Sequence, residues 1–267
     1  MAIFSHHDEL VAHPDVDVVA VTVKVPHHRE LVSAALAAGK AVYCEWPLGR
    51  DLDDARAMAA LAAKHGVRTI VGLQDGNNGA NLLTVAVGHS LDTLNHGLGE
   101  FADLSAVSAI RRPLITAEET REQIVKTAVD QIAVIGTLAS GATASVHVRE
   151  AVAGGIGFLW EINGTDGTLR ITADAALPEI FPLTIAGARG PGEPAELAIP
   201  SRLMQKWPAL TSLEGAPAFN VGRAYAAFAA DIDNGTHTVP AFADAVRRHE
   251  LIAAIERSAA TGERVKG

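Results

Sequence analysis

The chain has 267 residues, with 22 lysines and arginines against 31 aspartates and glutamates, which gives a formal net charge of −9. Hydrophobic residues make up 48% of the chain, which is enough for one large or two ordinary globular domains and excludes a disordered protein. The acidic balance argues against direct binding of nucleic acid, because phosphate backbones are bound by basic surfaces.

Cysteine content and hydropathy further restrict the class of protein. The single cysteine, Cys44, excludes an intramolecular disulfide framework and a cysteine-based zinc site. No run approaches the roughly eighteen apolar residues of a membrane span, and the residues up to His13 lack the pattern of a secretory leader. We therefore expect a cytoplasmic protein without a membrane partner.

The first third of the chain alternates between strand and helix patterns. The predicted elements are a strand at Val16–Val23, a helix at Arg29–Ala38, a strand at Lys40–Glu45, a helix at Asp51–His65 and a strand at Val67–Leu73. The β-branched first strand is expected to be buried on both faces. Short connections in this order predict a parallel α/β sheet.

The remainder has the pattern of an α+β domain with an open, mostly antiparallel sheet. A helix is predicted at Asn81–His96, and two more helices at Val221–Asn234 and Ala241–Thr261 close the chain. Residues 178–217 are rich in proline and glycine and predict irregular structure with one strand pair. The predicted strands are Leu104–Arg111, Ile132–Leu138, Thr143–Arg149, Phe158–Ile162 and Thr168–Thr172.

Two connections at the carboxyl edge of the predicted parallel sheet are candidate ligand sites, Lys24–His28 and Glu45–Gly49. Helix N-termini at such edges offer amide groups to anions, although every α/β protein has such connections. No G-x-G-x-x-G motif follows a strand, since the glycines at Gly154–Gly157 precede one. We expect that the first βαβ unit of a dinucleotide-binding domain is absent.

Residues Val21–Gln74, including VTVKVPHH and AVYCEWPLGRD, resemble the second half of the Rossmann domain of the Gfo/Idh/MocA oxidoreductases (glucose-fructose oxidoreductase, inositol dehydrogenase and relatives). The family's E-K-P motif reads Glu45-Trp46-Pro47 here, as in the galactose-regulon-repressor-like branch. GANLLTVAVGHSLDTL (Gly79–Leu94) resembles the family's H-x-x-D helix, and NGTDGTLRIT (Asn163–Thr172) resembles a strand pair of its C-terminal sheet.

The resemblance implies a partial Rossmann domain at 1–76 that binds NAD or NADP, and a C-terminal substrate and oligomerisation domain at 77–267. It further implies a pocket between them for a small sugar-like or cyclitol substrate, and homo-oligomers formed through the C-terminal sheet. His89 is the catalytic acid/base candidate, and Asp92 is assigned to the substrate side. The candidate cofactor-binding residues are Lys24, Pro26, His28, Glu45, Trp46 and Gln74.

The chain departs from the family pattern in three ways. The glycine-rich unit is missing, and Gln74 runs almost directly into Gly79 where the family has several tens of residues. Trp46 replaces the motif lysine and cannot carry charge. A gene-model error or an internal deletion would explain the missing glycine-rich unit and the missing segment between Gln74 and Gly79. Trp46 is open to two interpretations, stacking on a nicotinamide or sugar face, or filling a domain interface.

His89, Asp92 and His96 fall on one face of the predicted helix. This spacing is compatible with a histidine that moves a proton, with a metal site, or with ordinary hydrogen-bonded helix residues. We expect no metal, because a third strong ligand is not evident.

Three functions therefore remain open. The chain is an NAD(P)-dependent oxidoreductase, a non-catalytic nucleotide-binding regulatory protein, or an inactive truncated family member. The third hypothesis follows from the missing βαβ unit, which would leave one side of the first strand as an apolar edge.

Overall fold

A computed structural model describes residues 2–72, 81–116, 121–150, 157–175, 181–204 and 207–267. The chain forms two compact units, one made of residues 1–151 with 240–267 and the other of residues 152–239. The predicted division at residue 76 stays a prediction. Within the described ranges, no helix has the length and apolar character needed to cross a membrane.

The first unit opens with a parallel three-stranded sheet in the order β1-β2-β3. The alternation of strands and helices confirms the predicted order, and a short 3₁₀ turn at Val25–His27 precedes the second helix. The elements are α1 (His7–Ala12), β1 (Val18–Val21), α2 (His28–Ala37), β2 (Ala41–Glu45), α3 (Leu52–His65) and β3 (Thr69–Gly72).

The ends of α3 follow directly from the sequence. The Asp51 carboxylate accepts a hydrogen bond of 2.9 Å from the Asp54 amide, which satisfies one of the free donors at the helix N-terminus. Gly66 ends the helix with a φ of 62°, a left-handed conformation that glycine adopts without steric cost.

The prediction that the first strand is buried on both faces is wrong. Val19 and Val21 are buried, whereas Val18 is 37% exposed and Ala20 is also exposed. Successive side chains of a strand point to opposite faces, and in the described part of the chain only the face that packs on α2 is covered. The strand is also the edge of its sheet.

A second layer of the first unit follows. Its helix begins with a π-helical turn at Leu83–Val87, so that the predicted helix at Asn81–His96 is present but is not α-helical throughout. Its elements are α4 (Gly88–Leu98), β4 (Phe101–Ala109), β5 (Leu114–Thr116), β6 (Gln123–Val125), β7 (Gln131–Leu138) and β8 (Thr143–Arg149). The β5-β6 hairpin was not predicted.

The described residues of the second unit form an antiparallel sheet in the order β12-β11-β10-β9, two α-helices and a 3₁₀ helix at Pro208–Leu213. The predicted strand pair in the region rich in proline and glycine corresponds to β11 and β12. The elements are β9 (Phe158–Gly164), β10 (Gly167–Ala173), β11 (Thr184–Arg189), β12 (Ala195–Glu196), α5 (Ser201–Met204) and α6 (Ala218–Asn234).

The chain then returns to the first unit as α7 (Phe242–Thr261) and β13 (Val265–Lys266). The second sheet of this unit has the order β13-β4-β7-β8 and is antiparallel. Helix α7 packs against α3 and β4. The free edge of β3 is also used, because the Val71 amide donates to the Pro240 carbonyl at 3.0 Å. The two sheets of this unit therefore share one core around α7.

A buried carboxylate closes the end of α6. Asp231 accepts hydrogen bonds from the hydroxyls of Thr236 (2.6 Å) and Thr238 (2.8 Å) and from the amides of Thr238 (2.7 Å) and Val239 (3.0 Å). The Thr236 hydroxyl and these further donors hold the pKa of Asp231 well below its usual range. The loop after α6 is therefore folded around a charged group.

We expect Asp231→Asn to lower the melting temperature by about 5 °C or more. The amide nitrogen of asparagine is itself a donor, and it would face the hydroxyl and amide groups that now donate to the carboxylate. Thermal unfolding followed by circular dichroism measures this change. Asp233→Asn, an exposed change on the same helix, is the control. Equal melting temperatures for the two variants would contradict the structural role of Asp231.

Candidate active site

His28 joins the two connections at the carboxyl edge of the parallel sheet. Its side chain is 1% exposed, and its Nε2 donates to the Val23 carbonyl at 2.8 Å. Its Nδ1 lies 3.2 Å from the Leu48 carbonyl oxygen and 3.4 Å from Cys44 Sγ. Burial raises the pKa of the Cys44 thiol, which therefore stays protonated and can donate to Nδ1. The ring of His28 thus lies between the chain after β1, to which it donates, and the chain after β2.

Asp54 makes a second link between the same two connections. Its buried carboxylate accepts from Arg29 Nη1 at 2.9 Å, at the start of α2, and from Arg50 Nε at 2.7 Å, after β2. The hydrogen bond from Arg50 is the main reason why the pKa of Asp54 lies below its usual value. The edge is therefore fixed before any ligand binds.

Trp46 lies inside the protein rather than at its surface. The indole is 1% exposed, and its Nε1 donates to the Thr84 carbonyl at 2.7 Å. On another side its ring centroid lies 4.7 Å from that of His249 on α7, at an interplanar angle of 45°. Of the two predicted interpretations, these contacts support packing inside the first unit, because the indole N–H is already used.

The helix that carries His89 packs directly against Trp46. A Cβ atom added to Gly88 would lie 2.9 Å from Trp46 Nε1, so α4 begins in contact with the indole. His89, the next residue, is 2% exposed, and burial lowers its pKa from 6.5 to about 4. The imidazole is therefore neutral at neutral pH and can accept a proton.

Asp92 takes part in a charged cluster between α4 and α7. Its Oδ1 lies 3.5 Å from Arg248 Nε, and Arg248 also pairs with Glu100, which accepts a hydrogen bond of 2.7 Å from the Asn95 amide group. Burial raises the pKa of Asp92, and the charge of Arg248 opposes this change. His96, on the same predicted face, is exposed.

Sequence reasoning did not single out Arg248 and His249 as site residues. Both are buried, at 6% and 3% exposure. The signal was their spacing, because they fall between the buried Ala245 and Ile252 at the helical period of the core face of α7. His249 places a polar ring beside Trp46, and burial lowers its pKa to about 4.

The predicted cofactor-binding residues divide into three groups. Lys24 and Pro26 are exposed in the connection after β1, and Glu45 is half-buried at the end of β2. His28 and Trp46 are buried and bonded to backbone carbonyls. Gln74 lies outside the described residues.

Two family models match the chain. Residues 1–73 match an oxidoreductase family with an NAD-binding Rossmann fold, and residues 66–173 match the C-terminal domain of Gal80p. Dehydrogenase aclE of Aspergillus oryzae is 26% identical over 96% of this chain and 80% of its own length.

Solved structures share the fold over almost the whole chain. A super-repressor mutant of Gal80p from Saccharomyces cerevisiae superposes with a TM-score of 0.83 at 19% identity, covering 99% of this chain and 83% of that one. Levoglucosan dehydrogenase, in a complex with NADH and L-sorbose, has a TM-score of 0.80 at 21% identity, covering 98% and 82%.

The matches thus pair an NAD-binding Rossmann fold with a C-terminal domain similar to that of Gal80p. The chain is therefore similar to the Gfo/Idh/MocA oxidoreductases over residues 1–73 and to Gal80p over residues 66–173.

Proposed function

We propose that this protein is an NAD(P)-dependent oxidoreductase that acts on the alcohol or carbonyl group of a sugar-like or cyclitol substrate. The observation that carries the proposal is the neutral, buried His89 at the start of a helix packed against the Glu45-Trp46-Pro47 turn. The contact of Gly88 with Trp46 supports a proton acceptor near the carboxyl edge of the parallel sheet, where ligands of α/β proteins bind.

The exposed residues at this edge fit one end of a dinucleotide. Lys24 and Pro26 offer a cationic and an apolar contact, and Glu45 offers a carboxylate at the end of the neighbouring strand. We assign these three residues to the cofactor. We assign His28 to holding the two connections in place, because both of its ring nitrogens have partners inside the protein. The cofactor, when bound, supplies the hydride acceptor.

His89 would act as the base in the oxidation direction. The substrate hydroxyl gives its proton to the neutral imidazole while its carbon gives up a hydride, and the reverse direction returns both. The motif lysine is replaced by an uncharged indole, so the alkoxide that develops has one fewer cationic stabiliser. We expect a slow enzyme for this reason. Asp92 is assigned to a substrate hydroxyl.

A second candidate function is a nucleotide-binding regulatory protein without turnover. The match to the C-terminal domain of Gal80p and the buried Trp46 in place of lysine favour it. An inactive family member is the third outcome.

One set of experiments separates the three functions. NAD(H) and NADP(H) are titrated into the protein with nucleotide fluorescence as the readout, and turnover is then measured over a panel of sugars and cyclitols. Binding with turnover supports the oxidoreductase, and binding without turnover supports the regulator. Absence of binding rejects both. Lys24→Ala, with Lys64→Ala as an exposed control at the end of α3, tests the assigned contact.

We also propose that the protein forms homo-oligomers through the sheet of the second unit. Trp160, Ile171 and Ile185 lie in register on one face, and Leu169 and Leu197 on this face are 42% and 45% exposed. Such an apolar face is typical of a subunit interface. We expect Leu169→Glu to shift the protein to monomer in analytical ultracentrifugation, and Thr168→Glu on the opposite face to leave the assembly unchanged. A wild-type monomer would contradict this proposal.

A further inference from the structure

The π-helical turn before α4 changes the hydrogen-bond partners of the backbone at the start of the helix. In an α-helix the Gly88 amide would bond to the carbonyl of Thr84, four residues earlier. It bonds instead to the carbonyls of Leu83 and Val85. Thr84 O therefore does not receive the Gly88 amide, which would be its donor in a regular α-helix.

Trp46 donates a hydrogen bond to this carbonyl from outside the helix. Its indole nitrogen, which can only donate, lies 2.7 Å from Thr84 O. The ring is enclosed between Gly88 and His249, since a Cβ at Gly88 would lie 2.9 Å from Nε1 and 3.1 Å from Cζ2. The absence of a side chain at Gly88 is therefore what lets the indole approach the helix.

We propose that Trp46 is a positioning residue for His89. By holding Thr84 O, the indole fixes the π-helical turn, and the turn sets the rotation at which α4 presents His89 to the edge of the sheet. The role of His89 rests on the proposed function, whereas the bond between Trp46 and the turn does not.

The same contacts explain why tryptophan suits this position. A lysine has no ring to fill the space between Gly88 and His249, and burying its ammonium group at this position would cost free energy. With tryptophan at this position the site lacks the charge of the family's lysine, and the helix gains a rigid contact that orients it.

The test compares Trp46→Phe with the wild type by hydrogen exchange and kinetics. Phenylalanine keeps an aromatic ring but removes the N–H group. We expect amides in residues 83–89 to exchange about tenfold faster, the gain expected from losing one buried hydrogen bond. We also expect kcat to fall while the KM for the cofactor stays within about twofold. Trp207→Phe, at a half-buried tryptophan of the second unit, is the control and should change neither.

Gly88→Ala gives the same test without touching the indole. Alanine normally stabilises a helix relative to glycine, so slower exchange is the ordinary expectation. Here the added methyl group displaces the indole, and we expect faster exchange of residues 83–89. Gly97→Ala, at an exposed position of the same helix, should give slower or unchanged exchange.

Unchanged exchange in both Trp46→Phe and Gly88→Ala would overturn the proposal. If Trp46→Phe fails to fold, the exchange rates of residues 83–89 in Gly88→Ala alone test the proposal. The result is independent of the proposed function, because exchange is measured on the protein without ligand. Faster exchange in a protein that shows no turnover would retain Trp46 as the residue that fixes α4 and would reject only the catalytic assignment of His89.

Discussion

His89→Asn is expected to lower kcat by about 10²- to 10⁴-fold and to leave cofactor affinity within about twofold. Asparagine retains a polar side chain of similar length but cannot exchange a proton near neutral pH. Because the pKa of His89 is lowered to about 4, its imidazole is in the proton-accepting form throughout the neutral range. We therefore expect the pH profile of wild-type oxidation to lack a step near 6.5 that belongs to this residue.

The measurement is steady-state turnover together with a separate cofactor titration. His96→Asn is the matched control, because His96 lies two turns later on α4 and is exposed. If the His89 variant keeps wild-type turnover, the residue is not the base. If it loses cofactor binding as well, its role is structural.

Acidification is expected to destabilise the first unit strongly. His89 and His249 are both buried, and burial lowers the pKa of each from 6.5 to about 4. Between these values the unfolded chain takes up a proton that the folded protein does not, so the free energy of unfolding falls as the pH falls. The loss begins near pH 6.5, is complete near pH 4 and amounts to about 3 kcal/mol for each histidine.

Two carboxyl groups act in the opposite direction. Burial raises the pKa of Asp92 and of Glu256, so acid relieves the cost of keeping them charged. A variant of one histidine therefore gives a cleaner result than the wild-type curve. We choose His249→Phe, because within the described ranges His249 Nε2 has no hydrogen-bond partner and a phenyl ring can pack on Trp46 in its place.

We expect His249→Phe to lose about half of the change in unfolding free energy between pH 7 and pH 4.5, measured by urea denaturation. Its stability at pH 7 should be close to that of the wild type, since among the described residues the buried Nε2 makes no hydrogen bond that the phenyl ring would remove. His65→Gln, at the exposed end of α3, should keep the whole pH dependence. A wild-type slope in His249→Phe would show that this ring is not the titrating group.

Much of the fold was accessible from local sequence patterns. Asp51 and Gly66 mark the ends of α3 by capping chemistry that depends on neighbouring residues alone. The strands at β7 and β8 were predicted to within a residue, because their alternation and the turn between them are local. The hairpin of β5 and β6 was missed, since its strands have three residues each and no periodicity to read.

The amino-acid sequence by itself determined the class of fold and the residues able to do chemistry, because helix and strand periods and the His89 helix are encoded in short segments. Only the tertiary structure decided what those residues touch. The Trp46 N–H donates to the Thr84 carbonyl, the His28 ring lies between the connections after β1 and β2, and Arg248 is buried. Each of these contacts depends on residues that are distant along the chain. Burial by such residues then shifts the pKa of His89 and His249, and no local sequence pattern predicts that shift.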